Sequence, residues 1–456
     1  MKRVIPEVSS ARSTVRIQED TTCEGVRMQK VPHQPLKYES IILTGLALFG
    51  LSIALSKSAN NILIGLLCLF ALALASLRPS FRTALLQHAR QPLLLPLAVL
   101  MSVALVGLIF TSNFSDGIGI VNKLGGLLLA YLVVSVLLDM IGSPVARDQN
   151  AEQVLLAFLV GIFALDIIGV MTYLGFVANR KYFLPLSALN VFHIWFANLN
   201  AIGLYAAAGF LLFSPTGKDR RARVFLILLL ALAIFSILFS LSRTAWFGML
   251  VTMIVLSFFL IKKKIAFSLA MVVLLIAGIM LYLFNSIVHT RIDLVLSDVS
   301  SYSQGQANTN VGARFLMWKA AFRMFLSNPL FGVGTGDYVL TMNRGIASGE
   351  LPEFLHYFNQ PHNMYLFALA TNGLPGLAAL LFVFYSGLRA TFPVLLSPGR
   401  NRLFAFLAVA TAVHYLAAGM TDSLFNIQIL RYTFAFIMGV CVRSSLLHDA
   451  DAGSGA

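Results

Sequence analysis

Two arginines and one histidine lie in short motifs whose residue types suit the binding of an anion and the removal of a proton. Arg243 lies in SRTAWFG, Arg314 in GARFLMWKAA and His362 in PHNMYLFALATNGLPG. A guanidinium group can bind two phosphate oxygens at once. A neutral imidazole can accept a proton near pH 7, and nearby guanidinium groups favour that neutral form. These residues are therefore candidates for an anion clamp and a general base.

Each of the three also has a purely structural explanation. Arg243 can be a membrane anchor that reaches the interface beside Trp246. Arg314 can be a solvated residue on a helix surface, and a lone histidine is more often a packed bystander than a catalyst. The sequence leaves these alternatives open.

Further candidates come from a short loop and from apolar segments. Arg180 and Lys181 lie in ANRKYF, where they are either interfacial anchors beside Tyr182 or part of an anion clamp. Arg431 and Asp166 fall inside apolar segments, where ionisable side chains are costly and commonly functional. They either pair with each other, or Arg431 lines a cavity beneath a phosphate. Arg180, Lys181 and Arg431 are therefore candidate substrate-binding residues.

The composition indicates the kind of element that must position these side chains. The chain has 456 residues, of which 58% are hydrophobic and 11% charged, and its mean hydropathy is +0.83. A soluble domain carries about a quarter charged residues, so the sequence predicts an all-α polytopic membrane protein. A span needs about 20 apolar residues. That criterion predicts about twelve transmembrane helices, near residues 39–56, 60–77, 93–111, 124–141, 153–177, 185–213, 224–242, 244–261, 265–285, 366–389, 403–420 and 424–442.

Lysine and arginine in the connections indicate the orientation. With the N-terminus inside, 22 of the 33 basic residues lie on the inner side and ten on the outer side, five of those ten in one long loop. The rule that basic loops stay in the cytoplasm then places both termini inside. The predicted organisation is a disordered cytoplasmic tail (1–38), spans one to nine (39–285), an outer loop (286–365), spans ten to twelve (366–443) and a second cytoplasmic tail (444–456).

The outer loop between spans nine and ten is too long for a passive connection. Its segment 313–326, ARFLMWKAAFRMFL, interleaves aromatic and basic residues and predicts an amphipathic helix at the membrane interface. Ser327, Asn328 and Pro329 are expected to end that helix. We expect the loop to carry function.

Several classes of site are not expected. The segment GVGTGDY, with Gly332, Gly334 and Gly336, has no preceding strand and is interpreted as a glycine-rich turn, not a nucleotide loop. Histidines and carboxylates show no metal-ligand spacing, so no metal site and no cofactor is predicted. The net charge of +14 is spread over loops between spans, which argues against nucleic acid as a partner.

Three motifs together resemble the O-antigen ligase/polymerase superfamily. They are SRTAW at 242–246, the stretch R-x-x-x-W-K-A-A-x-x-M-x-x-x-N-P-L-F-G-V-G-x-G from Arg314 to Gly336, and H-N-x(9)-G-x-x-G from His362 to Gly376. The resemblance extends over about spans five to twelve. Within the superfamily the sequence is most similar to the lipopolysaccharide O-antigen ligases.

The resemblance implies a twelve-span enzyme of the bacterial inner membrane whose active site faces the periplasm. Such enzymes transfer an O-antigen glycan from undecaprenyl diphosphate to lipid A–core without nucleotide or metal. The family's two catalytic arginines and one histidine correspond to Arg243, Arg314 and His362. The expected partners are the lipid-linked donor, the lipid A–core acceptor and membrane lipids, and direct attack opposite the diphosphate implies inversion.

Two other functions remain possible from the sequence. The O-antigen polymerases share the long outer loop and much of the central motif, and they use the same kind of lipid-linked donor, as would another oligosaccharide transferase with a different acceptor. A transporter of lipid-linked glycan would place buried charges along a path near the midplane and favour inverted repeats. The sequence contains no internal repeat, and its candidate residues gather at one face, which favours a transferase.

Overall fold

The computed structural model describes residues 37–79, 82, 91–141, 144–177, 186–189, 191–399 and 401–446. Within these residues the chain forms fifteen α-helices and no β-strand, as the composition predicts. Arg180 and Lys181 lie outside the described residues, as do 1–36 and 447–456 of the predicted tails.

The helices are numbered here in chain order. They are α1 (Lys37–Leu55), α2 (Lys57–Leu77), α3 (Leu94–Gly107), α4 (Phe114–Asp139), α5 (Pro144–Tyr173), α6 (His193–Phe213), α7 (Arg220–Phe239), α8 (Arg243–Leu260), α9 (Lys264–Phe284), α10 (Ser286–Ser303), α11 (Asn310–Ser327), α12 (Tyr338–Ala347), α13 (Met364–Leu396), α14 (Arg402–Ala418) and α15 (Gln428–Leu446). Short 3₁₀ turns lie at Leu108–Phe110, Pro215–Lys218, Glu353–Tyr357 and Leu424–Asn426.

Each of the twelve predicted spans corresponds to one helix, α1 to α9 and α13 to α15. Nine of these, within the described residues, are long and apolar enough to cross a membrane. The other three are α3 and α14, which are shorter, and α15, whose 19 residues include Gln428, Arg431 and Arg443. The protein is therefore a multi-pass α-helical membrane protein.

The centre of the bundle is formed by α14 and α15, most of whose side chains are buried. Around them α1 packs against α5, α4 against α15, α6 against α7, and α13 against α3 and α14. By contrast, α9 buries none of its residues and lies at the periphery. An apolar helix with no buried face suits a lipid-facing position.

Connections predicted to share a side of the membrane contact one another. On the predicted outer side, Thr421 Oγ1 donates to Thr244 Oγ1 at 3.1 Å. On the predicted inner side, the Asp139 carboxylate forms ion pairs with Arg147 at 3.2 Å and Arg443 at 2.9 Å. The pairing of the connections agrees with the predicted topology, while the choice of periplasmic face stays a prediction.

The outer loop has an apolar core of its own. Helix α11 begins and ends close to the predicted 313–326, and Asn328 caps its C-terminal end as expected. Its buried residues Met317 and Ala321 pack with Tyr338 and Met342 of α12. The prediction of an interfacial helix was incomplete, because much of the apolar face packs against protein.

The glycine-rich segment at 332–336 is a turn, as predicted, and its three glycines all have positive φ angles. It inserts into a break in α13, where Gly373 has φ 64° and ψ −156°. The Val333 amide donates to the Ala370 carbonyl at 2.8 Å, and the Leu374 amide donates to the Pro329 carbonyl at 2.8 Å. The turn therefore satisfies backbone groups that the break in α13 leaves open.

The same turn joins the outer loop to the start of α4. The Asp337 carboxylate accepts hydrogen bonds from Thr111 Oγ1 at 2.5 Å and from the amides of Ser112 and Asn113, each at 2.7 Å. A carboxylate is stabilised at a helix N-terminus by the free amides and by the helix dipole. The glycine-rich turn and Asp337 thus join the outer loop to α4 and α13.

Candidate active site

His362 and Asp422 form the centre of the candidate site. The Nδ1 atom of His362 lies 3.1 Å from Oδ1 of Asp422; the two side chains are 23% and 2% exposed. A carboxylate can only accept, so in the neutral imidazole Nδ1 carries the hydrogen and Nε2 is left as the acceptor. The Ser423 amide also donates to this Asp422 oxygen at 2.8 Å. The pair therefore presents an oriented base.

The backbone around His362 is held by neighbours from three elements. His362 has φ 50°, a conformation that few non-glycine residues adopt and that a supporting structure must maintain. Asn363 caps α13 and its Nδ2 donates to the Met420 carbonyl at 3.0 Å. From α11, Trp318 Nε1 donates to the Pro361 carbonyl at 2.9 Å.

Arg243 begins α8 at the tip of a tight hairpin with α7, as predicted. Ser242 caps α8 by accepting from the Ala245 amide at 3.3 Å. Trp246 Nε1 donates to the Ile237 carbonyl of α7 at 2.8 Å. Trp246 therefore closes the hairpin, which weakens the explanation of Arg243 as an anchor beside an interfacial tryptophan.

The hairpin lies beside the turn that carries Asp422. Thr244 follows Arg243 and contacts Thr421, the residue before Asp422. Arg314 lies one helical turn before Trp318 on α11. Trp318 in turn contacts Pro361, the residue before His362. The structure therefore brings the three predicted catalytic residues to one region around Asp422.

Charges in this region act on one another. Burial lowers the pKa of the Arg314 guanidinium, the Asp422 carboxylate raises it, and Arg243 lowers it further. An arginine remains protonated at neutral pH despite such shifts. Neither Arg243 nor Arg314 forms an ion pair with another described residue. The region therefore holds positive charge that an anionic ligand can neutralise.

Arg291 on α10 is a further basic residue near Arg243 that no sequence motif indicated. Burial lowers the pKa of Arg291, and the positive charge of Arg243 lowers it further. Arg291 therefore lies close enough to Arg243 for their charges to interact. A basic residue just after span nine, on the side where bases are rare, was the available signal.

Asp422 was also missed. It lies in GMTDSLFN, the short connection between the last two spans, and no motif surrounds it. The signal was a carboxylate in a predicted outer connection only a few residues long. The pairing with His362 joins residues 60 positions apart and could not be derived from spacing.

Arg431 and Asp166 do not pair. Arg431 Nη1 donates to the Phe425 carbonyl at 2.9 Å, and the Ser236 hydroxyl donates to Asp166 Oδ1 at 2.7 Å. Arg431 is buried below the turn that carries Asp422, and substrate binding by its side chain stays a prediction. The described residues contain no group of three or more histidine, cysteine or acidic side chains able to hold a metal ion, and independence from metals also stays a prediction.

This arrangement can bind an anion and remove a proton nearby. Guanidinium groups aimed at developing negative charge stabilise a departing phosphate. An imidazole oriented by a carboxylate can take a proton from a hydroxyl group and hold the resulting positive charge. Together these groups suit displacement at a carbon that carries a phosphate leaving group.

Comparisons with known proteins match the part of the chain that contains Arg243, Arg314 and His362. Residues 227–381 match the O-antigen ligase family model. An O-antigen ligase of Escherichia coli (strain K12) is 27% identical over 126 residues, which are 27% of this chain and 30% of that protein. An uncharacterized protein of Haemophilus influenzae is 26% identical over 170 residues, 36% of this chain and 43% of that protein.

The matches are partial. The chain spans less than half of the length of either curated relative, and the family match is narrower than the expected spans five to twelve. Nevertheless the matched segment contains Arg243, Arg314 and His362. The match over residues 227–381 therefore supports a relationship of this segment to the O-antigen ligase superfamily.

Proposed function

We propose that the protein is an O-antigen ligase of the bacterial inner membrane. It transfers O-antigen glycan from undecaprenyl diphosphate to lipid A–core on the periplasmic side, with inversion and without metal or nucleotide. The observation that carries the proposal is the His362–Asp422 pair beside Arg243 and Arg314, which form no ion pair with another described residue. The family match over the same residues supports it.

The arginines bind the diphosphate of the donor. As the bond between the anomeric carbon and the diphosphate oxygen breaks, its electron pair moves to that oxygen. Arg243 and Arg314 neutralise the growing negative charge, and Arg291 adds to the positive potential. Arg180, Lys181 and Arg431 are proposed as additional contacts to the substrate.

His362 activates the acceptor. A sugar hydroxyl of lipid A–core attacks the anomeric carbon, and its proton moves to Nε2 of His362. The Asp422 carboxylate on Nδ1 stabilises the imidazolium that forms. Attack from the side opposite the diphosphate inverts the anomeric centre, and the products are the glycosylated acceptor and undecaprenyl diphosphate.

A reconstituted transfer reaction tests the proposal. Purified full-length protein in lipid nanodiscs is given lipid-linked O-antigen and lipid A–core, with excess EDTA and no added nucleotide. We expect glycan on lipid A–core with the inverted linkage. Transfer that requires added Mg²⁺ or Mn²⁺ contradicts the metal-free mechanism, and a retained anomeric configuration contradicts direct displacement.

The phenotype of a deletion strain separates a ligase from a polymerase. Without a ligase, polymerised glycan accumulates on its lipid carrier, whereas without a polymerase only single repeat units remain. We expect polymerised glycan on the carrier. Accumulation of single units would identify the protein as a polymerase that uses the same donor.

A further inference from the structure

A polar cavity lies beside the candidate active site and is separate from the arginines. Its volume is about 480 Å³, and its lining includes Lys57, Lys123, Trp195 and Gln360 but none of Arg243, Arg314 and His362. Gln360 connects the two regions, because its Nε2 atom donates to Asp422 Oδ1 at 3.4 Å. The cavity therefore opens next to the carboxylate that orients His362.

The lining of the cavity suits an anionic sugar. Lys57 Nζ lies 4.9 Å from the centre of the Trp195 ring, and Lys123 lies on α4 within electrostatic range of Arg431. The one carboxylate in the lining, Asp116, already accepts a hydrogen bond from Asn113. The side-chain amides in the lining, which can bind sugar hydroxyl groups, are Asn359, Gln360, Asn426 and Gln428.

An apolar slot continues from this cavity between membrane spans. It has a volume of about 70 Å³ and shares Ile120, Phe367 and Asn426 with the polar cavity. Leu100 and Val103 of α3 line it on one side. Polar and charged groups next to an apolar slot match a lipid whose anionic head lies at the interface and whose chain lies in the membrane.

The two binding regions reach the turn of Asp422 through different residues. The hairpin of Arg243 contacts the turn of Asp422 through Thr244 and Thr421, whereas the polar cavity contacts it through Gln360. An inverting displacement requires the nucleophile and the leaving group to lie on opposite sides of the anomeric carbon. If the diphosphate binds beside Arg243 and Arg314, the cavity lined by Lys57 and Lys123 remains for the acceptor.

We propose that the polar cavity binds the head of the acceptor lipid, a sugar bearing phosphate or carboxylate groups. This inference rests on the proposed function. Lys57 and Lys123 bind the anionic groups of the acceptor and so bring its hydroxyl to His362. They do not contact the diphosphate of the donor.

Steady-state kinetics of Lys57→Gln and Lys123→Gln test the inference in the reconstituted reaction. We expect the KM for lipid A–core to rise about tenfold or more, because a charge-assisted hydrogen bond is lost, while kcat and the donor Kd stay within about twofold. Lys319→Gln is the matched control, since Lys319 is an exposed lysine of α11 outside the cavity. An unchanged acceptor KM, or a weakened donor Kd, overturns the inference.

A second acceptor identifies the anionic groups. With enzymatically dephosphorylated lipid A–core, the wild-type KM should rise if phosphate is bound, and the lysine variants should then lose their difference from wild type. A wild-type KM that does not change, with the variants still impaired, assigns the contact to sugar carboxylates. If the wild type fails to glycosylate lipid A–core at all, the proposed function fails, which is a different result from variants that behave like an active wild type.

Discussion

His362 Nδ1 and Asp422 Oδ1 lie 3.1 Å apart at the junction of α13 with the turn between α14 and α15. The two residues belong to different connections, which are held together by hydrogen bonds between them. Asn363 caps α13, and the Tyr365 hydroxyl donates to the Leu416 carbonyl of α14 at 2.6 Å. The imidazole is therefore oriented by two packed helices, α13 and α14.

Asp422→Asn tests the orientation of the imidazole. The amide of asparagine can donate to Nδ1, which favours the tautomer with hydrogen on Nε2 and removes the base. We expect kcat to fall by about 10²–10⁴. Donor affinity should be unchanged or higher, because a negative charge near Arg314 is lost. Glu350→Gln, at an exposed position of the outer loop, is the control, and an equal kcat in both variants contradicts the role of Asp422.

His362→Asn tests the base itself. Asparagine tolerates the positive φ angle of this position better than alanine, so the folded structure should be kept. We expect single-turnover transfer to slow by about 10²–10⁴ with an unchanged donor Kd. Normal single-turnover transfer by the variant would mean that another group is the base.

Arg243→Lys and Arg314→Lys test the diphosphate clamp. A lysine keeps the charge but cannot make two parallel hydrogen bonds to phosphate. We expect the donor Kd to weaken about tenfold or more in each variant, measured by titration with lipid-linked glycan. Arg323→Lys is the matched control, because Arg323 lies exposed on α11, the helix that carries Arg314. If Arg243→Lys binds donor like wild type, Arg243 is a structural residue.

Fusions to alkaline phosphatase test the orientation. Gln304 follows α10 in the outer loop, and Lys263 lies between α8 and α9; both are exposed. The distribution of basic residues predicts an active fusion at Gln304 and an inactive fusion at Lys263. The opposite pattern would place the His362 region in the cytoplasm, away from the proposed substrates.

Gly336→Ala tests the anchoring of the outer loop. Gly336 has φ 109°, and a Cβ atom there would overlap the backbone of Gly117 and lie 2.8 Å from the Asn113 carbonyl oxygen. We expect a loss of at least about 2 kcal/mol of stability, from the strained backbone and the overlap together. Gly349→Ala has the strain without the overlap, because its Cβ would meet no atom within 4 Å. In thermal unfolding in detergent, the Tm of Gly336→Ala should be clearly lower than the Tm of Gly349→Ala.

The helices were predictable because a membrane restricts what a span can be. About 20 apolar residues in a row have one stable conformation in lipid, so apolar runs predicted the positions of twelve helices. Nine of these, among the described residues, have the length and hydropathy of a span. The break in α13 at Gly373 was not predicted, because Gly373 lies in an apolar segment long enough to be predicted as one continuous span. It exists because the 329–337 turn supplies hydrogen bonds to the backbone there.

The site was predictable to the extent that its residues lie in recognisable motifs. Arg243, Arg314 and His362 each have such a motif, whereas Asp422 and Arg291 lie in segments without one. They are candidates because of tertiary contacts, such as the one between His362 and Asp422, which no spacing in the chain encodes. The role of the glycine-rich turn was underestimated for the same reason.

The hydrogen bonds of Asp337 and the contact of Asp422 with His362 join distant parts of the chain, so they form in a fixed order during synthesis. Thr111 and Asp337 are 226 residues apart, so the start of α4 emerges from the ribosome long before its carboxylate partner. Asp422 emerges later still, in the connection between the last two spans. During synthesis, therefore, the membrane holds a chain that already contains Arg243, Arg314 and His362 but no oriented imidazole. His362 gains its partner only once α14 and α15 are inserted, so the finished site coincides in time with the completed bundle.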